Sequence, residues 1–289
     1  MLNLVSIGGN ALENSKTLKS VLDAIYLLSK KGGVVVTHGN GPQVGELAST
    51  ENLSLGLLTA QTEAQIGVML EEEILKHFKS KGGVHTRVET VLTRVLVDSK
   101  DPAFRNPTKP IGRFYTARQA KELAGNFTIK KLIHGYRRVV ASPVPLKILN
   151  LDTIKSLLGE GYIVVACGGG GIPITYKGSW YDFPDAVIDK DHTASLLARE
   201  LGADLMVTLT TVDGAYLNFG KKNAKLIGKI SVAKISEYEK AGYFEQGSMG
   251  PKVRASIDFA RKTGKRAAIG NLAKAKMAVS LKNCTVIER

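Results

Sequence analysis

The sequence predicts an α/β fold wound around a parallel sheet, and three observations predict it. Short runs of β-branched and apolar residues alternate with stretches whose apolar residues recur at helical spacing. Four turns at expected strand ends or helix starts are rich in glycine: Gly8-Gly9-Asn10, Gly39-Asn40-Gly41, Gly168-Gly169-Gly170-Gly171 and Gly247-Ser248-Met249-Gly250. With 289 residues, 44% of them hydrophobic, the chain can bury one large core or two modest ones.

The elements follow in order. Residues 2–7 form a first strand. Residues 16–31 form a helix with Leu18, Val21, Leu22, Ile25 and Leu28 on its apolar side, stopped by Gly32-Gly33. Residues 34–37 are the second strand, and the turn HGNGPQ opens a further helix. Residues 60–78 make a long amphipathic helix with Ile66, Met69, Leu70, Ile74 and Leu75 on the buried side, and 86–97 reads as a strand. The pattern then breaks. Five of the nine prolines fall between Asp98 and Pro145, mixed with aromatic and basic residues, so an inserted sublobe or lid is expected over 98–147. Winding resumes with helix 152–159, strand 163–167, helix 191–201, strand 205–209, helices 232–241 and 252–263, and strands 267–269 and 285–287. The whole is expected as one domain over 1–289, with two lobes that divide at about residue 200.

Composition excludes several classes. The start, MLNLVSIGGNAL, lacks the basic region and cleavage site of a signal peptide, and no apolar run reaches the roughly 20 residues that span a bilayer. Cys167 and Cys284 are a lone pair without metal-ligand spacing, expected as buried free thiols in the cytoplasm. The net charge is +14, and residues 99–150 alone carry eleven Lys/Arg against two Asp/Glu. Such a segment either covers a site for small anions or grips nucleic acid. Its aromatics, Phe104, Phe114, Tyr115, Phe127 and Tyr136, are too scattered for a stacking platform, so no nucleic-acid partner is expected.

In open parallel sheets, ligands gather at the carboxyl ends of the strands. There glycine lets backbone N–H groups approach a phosphate. Neither GxxxxGK[ST] nor GxGxxG is present, so a P-loop kinase is excluded and a Rossmann dehydrogenase disfavoured. Phosphate must then meet other cations. Lys109 sits in PTKPIG, stiffened by Pro107 and Pro110; Lys190 sits in IDKD at a helix mouth; Lys252 follows GSMGP and opens a helix. Asp189 and Asp191 flank Lys190. An acid there caps the helix, orients Lys190 and a second lysine, or holds a metal. The histidines, His38 in the HGNG turn among them, read as structural, and no Ser-His-Asp arrangement appears.

The strings HGNGPQVG (38–45), QIG (65–67), DPAFRNPTKPIG (101–112), GYRRVVASP (135–143), ACGGGGIP (166–173), VIDKD (187–191) and GSMGPK (247–252) resemble carbamate kinase, a member of the amino-acid kinase superfamily. The resemblance runs from Gly8 to the C-terminus. It implies a three-layer αβα sandwich on an open, mainly parallel sheet of about eight strands, with a small protruding subdomain. It implies a homodimer, a nucleotide carrying Mg2+, and the reversible reaction of ATP with carbamate to give ADP and carbamoyl phosphate, run toward ATP in arginine or agmatine breakdown. By position, Gly8, Gly9, Asn10, Gly39, Asn40, Gly169 and Gly170 would bind the acceptor and the transferred phosphoryl. Lys109, Lys190 and Lys252 would stabilise the phosphates, and Asp191 would organise the lysines. Thr210, Asp213, Tyr216, Tyr243, Phe244, Gly247, Ser248 and Met249 would hold the nucleotide, and no protein metal ligand is assigned. Three positions depart from the family pattern: Val144 where Lys is usual, Thr211 where many members have Asp, and Cys284 in place of Gly. The alternatives are another enzyme of this fold acting on a small carboxylate or phosphate, acetylglutamate kinase for example, and more remotely a basic nucleic-acid-binding protein.

Overall fold

The structure, a computed structural model, describes residues 1–9, 14–83, 85–132, 134–245 and 247–289. Strand β1 (Leu2–Ile7) is followed by α1 (Ser15–Ser29), β2 (Gly33–His38), α2 (Gly41–Thr50) and the 26-residue α3 (Leu55–Ser80). Next come β3 (Val88–Val91), β4 (Arg94–Val97), β5 (Lys109–Tyr115), α4 (Ala117–Leu123), β6 (Ile129–Leu132), β7 (Gly135–Val140) and β8 (Pro145–Ile148). They lead to α5 (Leu151–Gly159), β9 (Ile163–Ala166), β10 (Ile172–Lys177), β11 (Trp180–Asp182), α6 (Lys190–Glu200) and β12 (Leu205–Thr210). The chain closes with β13 (Tyr216–Leu217), β14 (Lys225–Leu226), β15 (Lys229–Ser231), α7 (Val232–Lys240), α8 (Met249–Thr263), β16 (Arg266–Asn271), α9 (Ala275–Val279) and β17 (Thr285–Glu288).

An eight-stranded sheet in the order β15-β17-β16-β12-β1-β2-β9-β3 organises the molecule. Every pairing in it is parallel except β16 with β17. Its central strands are apolar on both faces, as a sheet covered on both sides requires. In β2, Val34 and Val36 join the core with α1 and α3, while Val35 faces the opposite core with α5, α6 and α8. In β9, Ile163 and Val165 face the first core and Val164 and Ala166 the second. Because β1, β2, β9 and β12 run parallel, their carboxyl ends and the turns that follow lie along one edge.

The inserted segment builds its own three-stranded antiparallel sheet, β5-β7-β6, with α4 beside it. Ile111 and Val140 carry it onto Val44, Leu55 and Leu58 of α2 and α3. A Cβ on Gly45 of α2 would overlap the Gly112 backbone of β5, so glycine is what lets the two elements cross.

Two expectations need correction. Residues 86–97 are not one strand: β3 belongs to the large sheet, whereas β4 joins a second sheet, β11-β10-β4-β8. The corner is built by Thr93, whose hydroxyl donates to the Val91 carbonyl at 2.6 Å and accepts from the Cys167 N–H at 3.0 Å. On α3, Met69 and Leu75 are exposed, at 47% and 41%. The buried row runs instead through Leu58, Thr62, Glu63, Ile66, Leu70, Ile74 and Phe78.

Candidate active site

The ends of β1, β2 and β9 floor a small cleft of about 220 Å3. Gly9, Gly39, Asn40 and Gly169 line it from that floor, Lys109 from β5, and Lys190, Asp191 and Lys252 from the starts of α6 and α8. Close packing explains the glycines. A Cβ on Gly39 would stand 2.9 Å from the Gly9 nitrogen, and one on Gly169, where φ is +66°, would overlap the Asn40 amide. Asn40 precedes α2 without capping it; its Nδ2 donates instead to Thr62 Oγ1 at 2.8 Å. The start of α2 therefore has no side-chain cap, and Gly41 at its first position lines the cleft, where a helix N-terminus favours an anion.

Three lysines from distant stretches of chain converge here. Lys190 Nζ donates to Asp191 Oδ1 at 2.6 Å and to Ser6 Oγ at 3.1 Å. Lys252 Nζ donates to Asp191 Oδ2 at 3.1 Å and to the Ser248 carbonyl at 3.2 Å. One buried carboxylate thus holds two ammonium groups, one on each oxygen. Lys109 Nζ reaches Asp189 Oδ2 at 2.5 Å, while Asp189 Oδ1 caps α6 by accepting from the Asp191 N–H at 2.9 Å. Burial would raise the pKa of Asp191, but Lys190 and Lys252 overcome it and hold the carboxyl below its ordinary value. Asp189 is depressed likewise, burial being outweighed by Lys109, His192 and Lys190. Both acids are ionised at neutral pH and matched to cations. The chain thus favours the cap and lysine-orienting readings of these acids over a metal-binding one.

A second, larger cleft of about 680 Å3 adjoins the first, with Ser248 lining both. Thr210, Tyr216, Tyr243, Phe244, Ser248 and Met249 line it as expected. Thr211 lines it too, and so do Phe219 and Lys221, which the sequence reading missed. Gly247 lines the smaller cleft instead. Asp213 does not line either cleft. Its carboxylate accepts from Lys274 at 2.9 Å and from Asn271 at 3.0 Å, partners 58 and 61 residues away. Gly8 and Gly170 do not line the small cleft either. Gly170, at φ +102°, is packed under the Ile188 carbonyl, where a Cβ would overlap it. Asn10 lies outside the described residues.

Of the departing positions, Thr211 faces the large cleft, and Val144 is exposed with its N–H bound to Asp101 Oδ2 at 2.9 Å. Cys284 is a core thiol, pushed up to about 11 by burial. Cys167 is likewise buried and free.

Sequence reasoning overlooked Ser6 and a group of buried polar residues beneath the floor. Glu63, within α3, accepts the Gly168 N–H at 2.9 Å and the Thr93 N–H at 3.2 Å. Burial raises its pKa to about 8 despite those two donors. His38 is buried beside Gly168 and pushed down to about 4, chiefly by burial, so it is neutral at pH 7.

A resident metal does not fit these residues. Among the described residues no group of three His, Cys, Asp or Glu side chains converges, and both cleft carboxylates are already engaged by lysines.

Comparison with known proteins agrees with this geometry. The chain matches the amino acid kinase family over residues 1–271. It is 38% identical over 302 residues to the carbamate kinase of Thermoplasma acidophilum, covering 99% of each chain. It is 40% identical over 304 residues to the carbamate kinase-like protein YqeA of Escherichia coli, covering 98% of each. The structure of carbamate kinase from Giardia lamblia bound to AMP-PNP superposes with a TM-score of 0.89 at 36% identity, covering 99% of this chain and 98% of that one. With the fold, the glycine-floored cleft and full-length similarity in agreement, the chain belongs to the amino acid kinase family, on its carbamate kinase branch.

Proposed function

We propose that the protein is a carbamate kinase, transferring a phosphoryl group reversibly between ATP and carbamate to give ADP and carbamoyl phosphate. The observation that carries the reading is Asp191. It holds Lys190 and Lys252 where a 220 Å3 cleft and a 680 Å3 cleft adjoin. The larger cleft suits a nucleotide, with Tyr216, Tyr243 and Phe244 beside the base and ribose. The smaller suits an acceptor with no side chain to accommodate. It offers backbone N–H groups and cations, which match a planar carboxylate.

The chemistry needs charge more than protons. A carbamate oxygen attacks the γ-phosphorus, a bond to that oxygen forms, and the bond to the β-bridging oxygen of ADP breaks. The attacking oxygen is already anionic, so no general base is required. What must be supplied is alignment and positive charge on the equatorial and leaving oxygens. Lys190 and Lys252 are placed to do this, and Lys109 brings a third charge from the small sheet. In our reading Mg2+ enters with the nucleotide as its counter-ion, part of the substrate, and the segment 98–147 serves as the lobe covering the acceptor. We also read the direction as toward ATP, and the active form as a homodimer.

The test is ATP formation from ADP and carbamoyl phosphate by the purified protein, beside a panel of acceptors in the reverse direction. Phosphorylation of carbamate above acetylglutamate, glutamate or a nucleoside monophosphate is expected. Preference for acetylglutamate would replace this reading with that of a sister enzyme on the same fold.

A further inference from the structure

The first turns of α3 carry three buried polar side chains, Thr59, Thr62 and Glu63, on a face whose other buried residues are apolar or glycine. Polar groups inside a core cost stability unless paired, so their partners show what they hold. Glu63 bonds two backbone N–H groups from separate segments, Oε1 to Gly168 after β9 and Oε2 to Thr93 at the corner between β3 and β4. Thr62 bonds the Asn40 side chain, which lies against Gly169 in the cleft floor. A Cβ on Gly168 would overlap the His38 ring and stand 3.0 Å from Glu63 Cγ, so Gly168 is clamped between the two. One face of one helix therefore fixes both the turn after β2 and the turn after β9.

We propose that Glu63 and Thr62 are positioning residues for phosphoryl transfer, setting the Gly168–Gly170 turn and the Asn40 amide at the acceptor cleft from below. Neither lines either cleft, so they act through Gly169 and Asn40. A carboxyl group accepting an N–H on each oxygen ties both backbones to one rigid group, whereas the amide of glutamine can accept at one end only, its NH2 end being a donor. The titratable groups facing Glu63 are His38 from β2 and Cys167 at the end of β9, and both are neutral at pH 7. Burial raises the Glu63 pKa to about 8, so the carboxyl is mostly protonated at neutral pH, and each oxygen keeps a lone pair for its N–H donor.

The inference rests on the carbamate kinase reading and refines it. The experiment measures kcat and the KM for ADP and for carbamoyl phosphate in wild type, Glu63→Gln and Thr62→Val, with melting temperatures alongside. Both variants should lose about tenfold or more in kcat and bind carbamoyl phosphate less tightly, with the KM for ADP within about twofold of wild type. A purely structural role would lower the melting temperature while leaving kcat per folded molecule at the wild-type value. That result in both variants overturns the proposal. If Glu63→Gln does not fold, Thr62→Val decides alone: a selective loss of kcat supports the proposal and an unchanged kcat overturns it. An inactive wild type would instead overturn the reading of function and take this inference with it. An active wild type with unaltered variants overturns only the inference.

Discussion

Asp191 and Glu63 are both buried carboxyls, yet their surroundings drive them in opposite directions. Lys190 and Lys252 hold Asp191 below its ordinary value against the pull of burial. Its folded pKa lies below the unfolded one. Its contribution to stability is therefore complete above about pH 4 and lost as pH falls through the depressed value. Glu63 has no cation against it and is raised from 4.5 to about 8. Between those values the folded state binds the extra proton, so stability falls as pH rises across that window. Buried His38, lowered from 6.5 to about 4, offsets this slope up to about pH 6.5, so urea unfolding should show wild-type stability declining between about pH 6.5 and 8, with a shallower decline in Glu63→Gln. Asp191→Asn should cost far more in kcat than in nucleotide binding, because it releases both lysines at once, and steady-state kinetics checks this. Glu63 was illegible in the sequence for a physical reason. A glutamate inside an amphipathic helix reads as a solvent position, and its partners lie 30 and 105 residues away. Lys109 and Lys252 were legible because proline and glycine fix the backbone around them, and Lys190 because two acids flank it at a helix start.

At the scale of elements, the glycine turns were readable as such, but which glycine meets the cleft was not. Gly39 and Gly169 line it whereas Gly170 packs under Ile188, a distinction set by neighbouring chain. The strand–corner–strand over 88–97 was also illegible. Both halves are apolar and only Thr93 marks the change of sheet. The crossing of α2 and β5 at Gly45 and Gly112 attaches the small sheet to the body, helped by Arg138, which donates to the Ala48 carbonyl at 3.3 Å. Gly45→Ala should force the crossing apart and withdraw Lys109 from Asp189. The expected result is a KM for carbamoyl phosphate raised by about tenfold with the KM for ADP little changed, read from the coupled assay.

For the whole molecule, α3 leaves Leu57, Val68, Met69 and Leu75 exposed. Leu57 follows Gly56, which packs on Phe183, and Trp180 nearby in sequence on β11 is 79% exposed. In the homodimer proposed above, these exposed apolar side chains are the expected contact face. It suits a second copy of the chain, since an isologous contact needs only one self-complementary patch. Light scattering after gel filtration should give twice the 31.1 kDa chain mass. Val68→Lys with Met69→Lys should shift it toward one chain. The +9 excess of residues 99–150 belongs to the same scale. Lys109 brings part of that charge into the small cleft, and the KM for carbamoyl phosphate should rise with ionic strength.

In the proposed reaction, ammonium groups from three parts of the chain neutralise a phosphoryl group as it moves between the two clefts. The most direct measurement is the rate of ATP formation from ADP and carbamoyl phosphate by wild type and by Lys190→Ala. An active wild type and a loss of about a hundredfold or more in kcat are predicted, some 3 kcal/mol of transition-state stabilisation. A Lys190→Ala protein that is folded and turns over at the wild-type rate would contradict it.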